Sequence, residues 1–263
     1  MFQDAVVFLF LPHQDDEISV LSIWKEIARS REVYVFCITN GEVQSKKRRH
    51  NRDVRNKELV VHLGRLNITK ENIFFLSDNL PPNDQCLHEF TDEIITNVQR
   101  ITERLPAPDI VIYPAMEGGH PDHDVSNILI RHIFSTKTNS PTGYEYYIYS
   151  RSTGLFPFNI STPLSITQEH EGVRFNRWQL IRVMRAIRTY KSQFRTFLVL
   201  GPCLLVRWLF SPTIYLRHCK LDGTPLTPPP SPNLYEWRGW VSFKEIQAVL
   251  DSKGFSHLIG SDG

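Results

Sequence analysis

The 263-residue chain has little of what usually identifies a protein at a glance. It holds four cysteines, Cys37, Cys86, Cys203 and Cys219, and no CxxC pair among them. That spacing argues against a zinc knuckle and a thioredoxin-type site. Scattered single cysteines instead point to buried, reduced thiols in a cytosolic compartment. The net charge is only +2, so the basic excess of a nucleic-acid-binding domain is missing. There is no internal repeat. No G-x-G-x-x-G follows the first apolar run, which removes the dinucleotide-binding fingerprint. Long unbroken apolar runs are also missing. Residues 197–216 come near the ~20 residues of a bilayer span, but Gly201, Pro202, Arg207 and Pro212 interrupt them. A buried or interfacial segment is expected there. Residues 5–11 are too short for a leader and follow no basic segment. They read as a buried first strand.

What is present alternates, and 41% hydrophobic content is enough to bury a core. After the strand at 5–11, residues 17–29 place Val20, Ile23, Trp24 and Ile27 on one helix face. Residues 33–39 are β-rich and stop at the Asn40-Gly41 turn signal. A basic run from Lys46 to Arg55 leads to a helical stretch over 56–66. A short strand is expected at 73–76, a helix over 91–105, a strand at 109–113, a helix over 124–134 and a strand at 144–149. This order predicts a three-layer, Rossmann-like α/β domain on a mainly parallel sheet. Ligands in such sheets sit beyond the strands' carboxyl ends. Polar clusters at 13–17, 39–42, 77–79 and 120–124 should therefore meet on one rim. In 171–195, Trp178, Ile181, Met184, Ile187, Tyr190 and Phe194 recur at helical spacing among arginines. Core packing with a basic outer face is expected there, with an anionic membrane surface as the alternative. Residues 225–232 are too rich in proline for a regular helix or a central strand.

Two stretches can carry chemistry: Pro12-His13-Gln14-Asp15-Asp16-Glu17 and Glu117-Gly118-Gly119-His120-Pro121-Asp122-His123-Asp124. Each sets imidazole and carboxylate groups at a strand end. Catalytic zinc takes three such protein ligands and keeps one position open. His13 and Asp16 can turn toward one point, His123 can complete the set, and Asp15 is left as a general base. Helix capping is the competing use, since Asp15, Asp16 and Asp122 all suit a helix N-terminus. Lys46, Lys47, Arg48, Arg49, Arg52 and Arg55 can meet phosphate groups or simply face solvent. His50, His62, His88, His132, His170, His218 and His257 lack clustered partners and read as surface or structural histidines.

Residues 13–17 resemble the HPDDE signature of the LmbE-like metal-dependent N-deacetylases, the PIG-L family, with Gln14 in place of the usual proline. His120-Pro121-Asp122-His123 matches the second signature, HPDH, without departure. The resemblance extends to Arg55 and Glu58 with Leu63-Gly64, to Asp78, and to Tyr190-Lys191-Ser192-Gln193. It runs to about residue 195. It implies a deacetylase domain over 1–195; the tail, 196–263, carries no feature of the family and is read as a C-terminal extension packed on the same domain over the site. His13, Asp16 and His123 would hold Zn2+ or another divalent metal, and Asp15 would activate water. His120 would stabilise the oxyanion, held and charged by Asp122, while Arg55 and Asp78 would contact the sugar. The implied activity is hydrolysis of an N-acetyl group from an N-acetylglucosamine-type conjugate, releasing acetate. Hydrolysis of another small amide and a non-catalytic sugar- or lipid-head-group-binding role are the alternatives. The implied partner is an N-acetylated amino sugar, with lipid or phosphate linkage and peripheral membrane contact left open. Nucleic acid is not expected, no oligomeric state is implied, and the implied location is the cytoplasm or its membrane surface.

Overall fold

The computed structural model describes residues 2–43, 52–135, 140–152, 158–163, 165–174 and 176–260. Lys46, Lys47, Arg48, Arg49 and His50 lie outside them.

The first strand, β1 (Val6–Leu11), is buried along its whole length. Its side chains alternate between two cores, as strand geometry requires. Val7, Leu9 and Leu11 enter one cluster; Val6, Phe8 and Phe10 enter the other. The same alternation holds in β2 (Glu32–Cys37) and β4 (Ile110–Pro114). A sheet buried on both faces must be covered by helices on both. On the first side lie α1 (Trp24–Ile27), α2 (Arg52–Gly64) and, later, α5 (Arg177–Ile187). On the second lie α3 (Thr91–Thr102), α4 (Pro121–Ser135) and α8 (Phe243–Ser252).

With β3 (Ile73–Phe75), β5 (Thr142–Tyr146), β8 (His170–Arg174) and β9 (Thr213–Lys220), the sheet runs β3-β2-β1-β4-β5-β9-β8. The pairs among the first five strands are parallel, and β9 and β8 join antiparallel. The expected three-layer, mainly parallel architecture is the one found. Sequence order reverses between β1 and β4, which opens a crevice at their carboxyl ends. A separate hairpin, β6 (Tyr149–Arg151) with β7 (Phe158–Ile160), stands beside that crevice.

Three local expectations need correction. The helix over 17–29 is instead a 3-10 turn at Asp16–Val20 followed by the short α1. The carboxylates that would cap a regular helix point elsewhere: Asp15 pairs with Arg55, and Asp16 with His13. Residues 171–195 divide into β8 and α5, where Asn176 and Gln179 form a capping box. The buried face of α5 is Val183 and Ala186, while Trp178, Ile181 and Met184 are exposed. Of the buried or interfacial segment expected over 197–216, the buried form is not found among the described residues. These residues form most of α6 (Phe194–Phe210), with Pro202 inside it, and the start of β9. Among the described residues, no helix is long and apolar enough to cross a membrane.

The C-terminal residues reach the rim as well as the core. Leu234 donates to the Gly118 carbonyl at 2.8 Å from the start of α7 (Leu234–Trp237). The Tyr235 hydroxyl donates to Asp124 Oδ2 at 3.1 Å.

Candidate active site

β1 ends at Leu11, and the chain turns at once into His13. The tie is local: Asp16 Oδ2 accepts the His13 backbone N–H at 2.8 Å and lies 3.2 Å from His13 Nδ1. The second signature arrives from β4 across the crevice. Its loop is held tightly before α4 begins. Asp124 Oδ1 accepts the Glu117 and Gly118 amides at 3.0 and 3.1 Å. Glu117 Oε1 accepts those of Ile148 and Tyr149 at 2.7 and 2.9 Å. Gly118 sits at φ +69, and a Cβ on Gly119 would run into the Tyr149 carbonyl, so both positions require glycine.

These two loops bring His13, His120 and His123 together, with one nitrogen of each ring within 4.8 Å of the others. All three rings are buried. His123 Nε2 lies 3.5 Å from Asp16 Oδ2. Ligands about 2.0–2.1 Å from a tetrahedral zinc stand about 3.4 Å apart, and the two distances from Asp16 Oδ2, to His13 Nδ1 and to His123 Nε2, lie close to that. Burial pushes His123 well below its ordinary value despite Asp16 beside it, whereas for His13 the hydrogen bonds to Asp122 and Asp16 outweigh burial and hold it well above its own. His123 Nδ1 is buried without a hydrogen-bond partner. For Asp16, the His123 and His13 contacts outweigh burial and hold the carboxyl down at about 2. Buried imidazoles and an ionised carboxylate are a donor set that fits zinc.

Asp15 lies at the same mouth, and Arg55 Nη2 donates to its Oδ1 at 2.9 Å. Burial raises its pKa against the opposing Arg55 charge. Arg55 is buried, also donates to the Gly41 carbonyl at 2.9 Å, and reaches within 3.8 Å of Asp84. The structure therefore places it as a clamp on Asp15 in the cavity wall. Asp122 makes its closest side-chain contacts away from His120. It accepts from the Gln85 and Leu87 amides at 2.8 and 3.1 Å and lies 3.1 Å from His13 Nε2. Its carboxylate stands 3.7 Å from His120 Nδ1, which instead accepts the Asp122 backbone N–H at 3.2 Å. The carboxylate facing His120 Nε2, at 3.5 Å, is Asp84.

Asp78 is exposed and does not reach the cavity. It ends a polar chain in which Gln14 Nε2 donates to Asn56 Oδ1 and Asn56 Nδ2 to Asp78 Oδ1, each at 2.9 Å. Gln14, which replaces the proline of the signature, is fully buried in that chain. Asp84 comes from the same loop after β3. It lines the cavity, and its pKa lies far below the carboxylate range because His120, His13 and Arg55 outweigh its burial. Its signal was weak: a lone acid six residues on, in Pro81-Pro82-Asn83-Asp84. Two further groups come from the C-terminal residues. The Trp240 ring packs edge-on to His120 at 5.2 Å, and the Arg238 guanidinium lies 4.9 Å over Trp240.

The cavity measures about 1000 Å3 and spreads from the histidines to α6. One wall is apolar, with Phe194, Phe197, Leu200 and Leu204. Lys191, Arg195 and Arg238 add positive charge at the same opening.

Solved structures share this fold. A deacetylase of the teicoplanin biosynthesis pathway superposes with a TM-score of 0.55 at 14% identity, over 81% of this chain and 98% of its own. The A40926 pseudoaglycone deacetylase gives 0.54 at 13%, over 82% and 97%. The N,N'-diacetylchitobiose deacetylase of Pyrococcus horikoshii gives 0.52 at 20%, over 82% and 84%. No curated protein matches the sequence. The family described as PIG-L, GlcNAc-PI de-N-acetylase, matches residues 8–134, the segment that carries both signatures. That segment is just under half of the chain, and over it the sequence is similar to the PIG-L family.

Proposed function

We propose that this protein is a zinc-dependent hydrolase that removes the N-acetyl group from an N-acetylglucosamine-type sugar conjugate. The observation that carries the reading is the meeting of His13, His120 and His123 beside Asp15 and Asp16 at the end of an open cavity. The family's description and the N-deacetylase activity named for the chitobiose enzyme agree with it. His13, Asp16 and His123 would hold the ion. When bound, such an ion acts as a Lewis acid that polarises the amide carbonyl and makes water more acidic.

The residues supply the rest. Asp15, anchored by Arg55, takes a proton from the attacking water as its oxygen bonds to the acetyl carbon. His120 Nε2, on the other side, donates to the developing oxyanion. The C–N bond then breaks, and the proton held on Asp15 passes to the leaving amine, giving acetate and a free amino sugar. Trp240 and Asp84 hold the His120 ring between them. The apolar wall and the cluster of Lys191, Arg195 and Arg238 favour a sugar joined through phosphate to an apolar group.

The test is acetate release from a panel of N-acetylglucosamine conjugates by the zinc-loaded protein. Asp15→Asn should lower turnover by about 10²–10⁴-fold while metal content, read by elemental analysis, stays the same. Unchanged turnover removes Asp15 as the base. No acetate from any conjugate, with metal bound, overturns the activity.

A further inference from the structure

α5 and α6 carry apolar side chains on their outer surfaces. Along α6, Phe194, Leu198, Pro202, Leu205 and Leu209 recur every three or four residues and are all exposed, so they share one helix face. Leu198 is 58% exposed, Leu209 65%, and Phe210, at the helix end, 85%. On α5, Trp178, Ile181 and Met184 form a second exposed row, and Arg182, Arg185 and Arg188 form an exposed row one position further round.

The charge pattern identifies what such a face meets. Residues 172–221 contain ten Lys and Arg and no Asp or Glu, although the chain has 28 acidic residues elsewhere. A second copy pressing the same face against this one would bring arginines together, and neither helix carries a carboxylate to pair with them. An anionic lipid surface supplies apolar depth for the leucine and phenylalanine rows and negative headgroups for the arginines. Pro202 and Arg207 inside α6 suit a helix lying in the interface rather than crossing it.

We infer that α5 and α6 dock this protein on an anionic bilayer surface, with the exposed row of α6 in the lipid. The geometry of the cavity agrees, because Phe197, Leu200 and Leu204 of the same helix form its wall. The docking stands independently of the deacetylase reading, and its test involves no turnover.

The full chain is sedimented with vesicles of equal parts phosphatidylcholine and phosphatidylglycerol, and with vesicles of phosphatidylcholine alone. Binding to the mixed vesicles should be about tenfold tighter or more and should weaken with salt. Leu198→Ser/Leu209→Ser/Phe210→Ser should lower binding about tenfold or more. Arg182→Gln/Arg185→Gln/Arg188→Gln should lower binding to the mixed vesicles alone. All six positions are exposed and outside the cavity wall, so circular dichroism and melting temperature should match the parent. No binding to either vesicle overturns the inference, as does binding that neither variant lowers. A dimer in sedimentation that the leucine variant dissolves would assign the face to a second copy instead.

Discussion

Glu117 does no chemistry in the proposed reaction, yet it shows how the rim is held. Its Oε1 gathers the amides at the start of β6, and its Oε2 is buried without a partner. Burial, which outweighs those two hydrogen bonds, pushes its pKa up to about 8 from an ordinary 4.5. The folded protein therefore keeps a proton that the unfolded chain releases. Stability from this group is complete below about pH 4.5 and declines as pH rises toward 8, at about 1.4 kcal/mol per pH unit. Glu117→Gln keeps the carbonyl acceptor and abolishes the titration. Denaturant unfolding of that variant between pH 5 and 8 should show a flatter pH dependence than the parent. Asp124, raised by burial to about 7, leaves a residual slope of the same sign. An unchanged slope would mean that Glu117 is already ionised in the folded state.

At the level of elements, the 3-10 turn that carries Asp16 is secured from outside its own sequence. Glu17 Oε1 lies 2.6 Å from His62 Nδ1 on α2 and accepts the Tyr190 hydroxyl at 2.6 Å from beyond α5. Tyr190→Phe keeps the ring in the core and leaves a buried acceptor short of one donor. That should cost about 1–3 kcal/mol, a fall of several degrees in melting temperature, roughly 2–4 °C per kcal/mol at this size. A melting temperature equal to the parent's would show that His62 alone satisfies Glu17. This tie also shows what could be read beforehand. β1, β2, β4 and the two signatures were legible, because apolar alternation and contiguous motifs are local properties. His62 could be read only as structural, and Tyr190 only by helical spacing and resemblance, because their partner lies 45 and 173 residues away respectively. Asp84, Arg238 and Trp240 had no periodicity or spacing to mark them. The loop after β3 and the chain around α7 bring them in. The exposed face of α5 was misread for a related reason. Helical spacing fixes which residues share a face but not whether that face meets the sheet.

Across the whole molecule, the candidate metal set spans the seam where sheet order reverses. His13 and Asp16 follow β1, while His123 stands on α4 after β4. A ligand bound by both halves stabilises the folded state alone, because the unfolded chain holds these residues 110 positions apart in sequence, from 13 to 123. At a free zinc concentration near 100 times the dissociation constant, the gain is about 2.7 kcal/mol, or about 5–10 °C at this chain length. Zinc added to chelator-treated protein should therefore raise the melting temperature by that amount. His123→Ala should remove most of the rise, and His120→Ala should keep it, since His120 is assigned to the oxyanion rather than to the ion. The two rings lie only 5.1 Å apart, so position alone does not separate their roles, whereas the melting shift does. A rise kept by His123→Ala and lost by His120→Ala would exchange the two assignments.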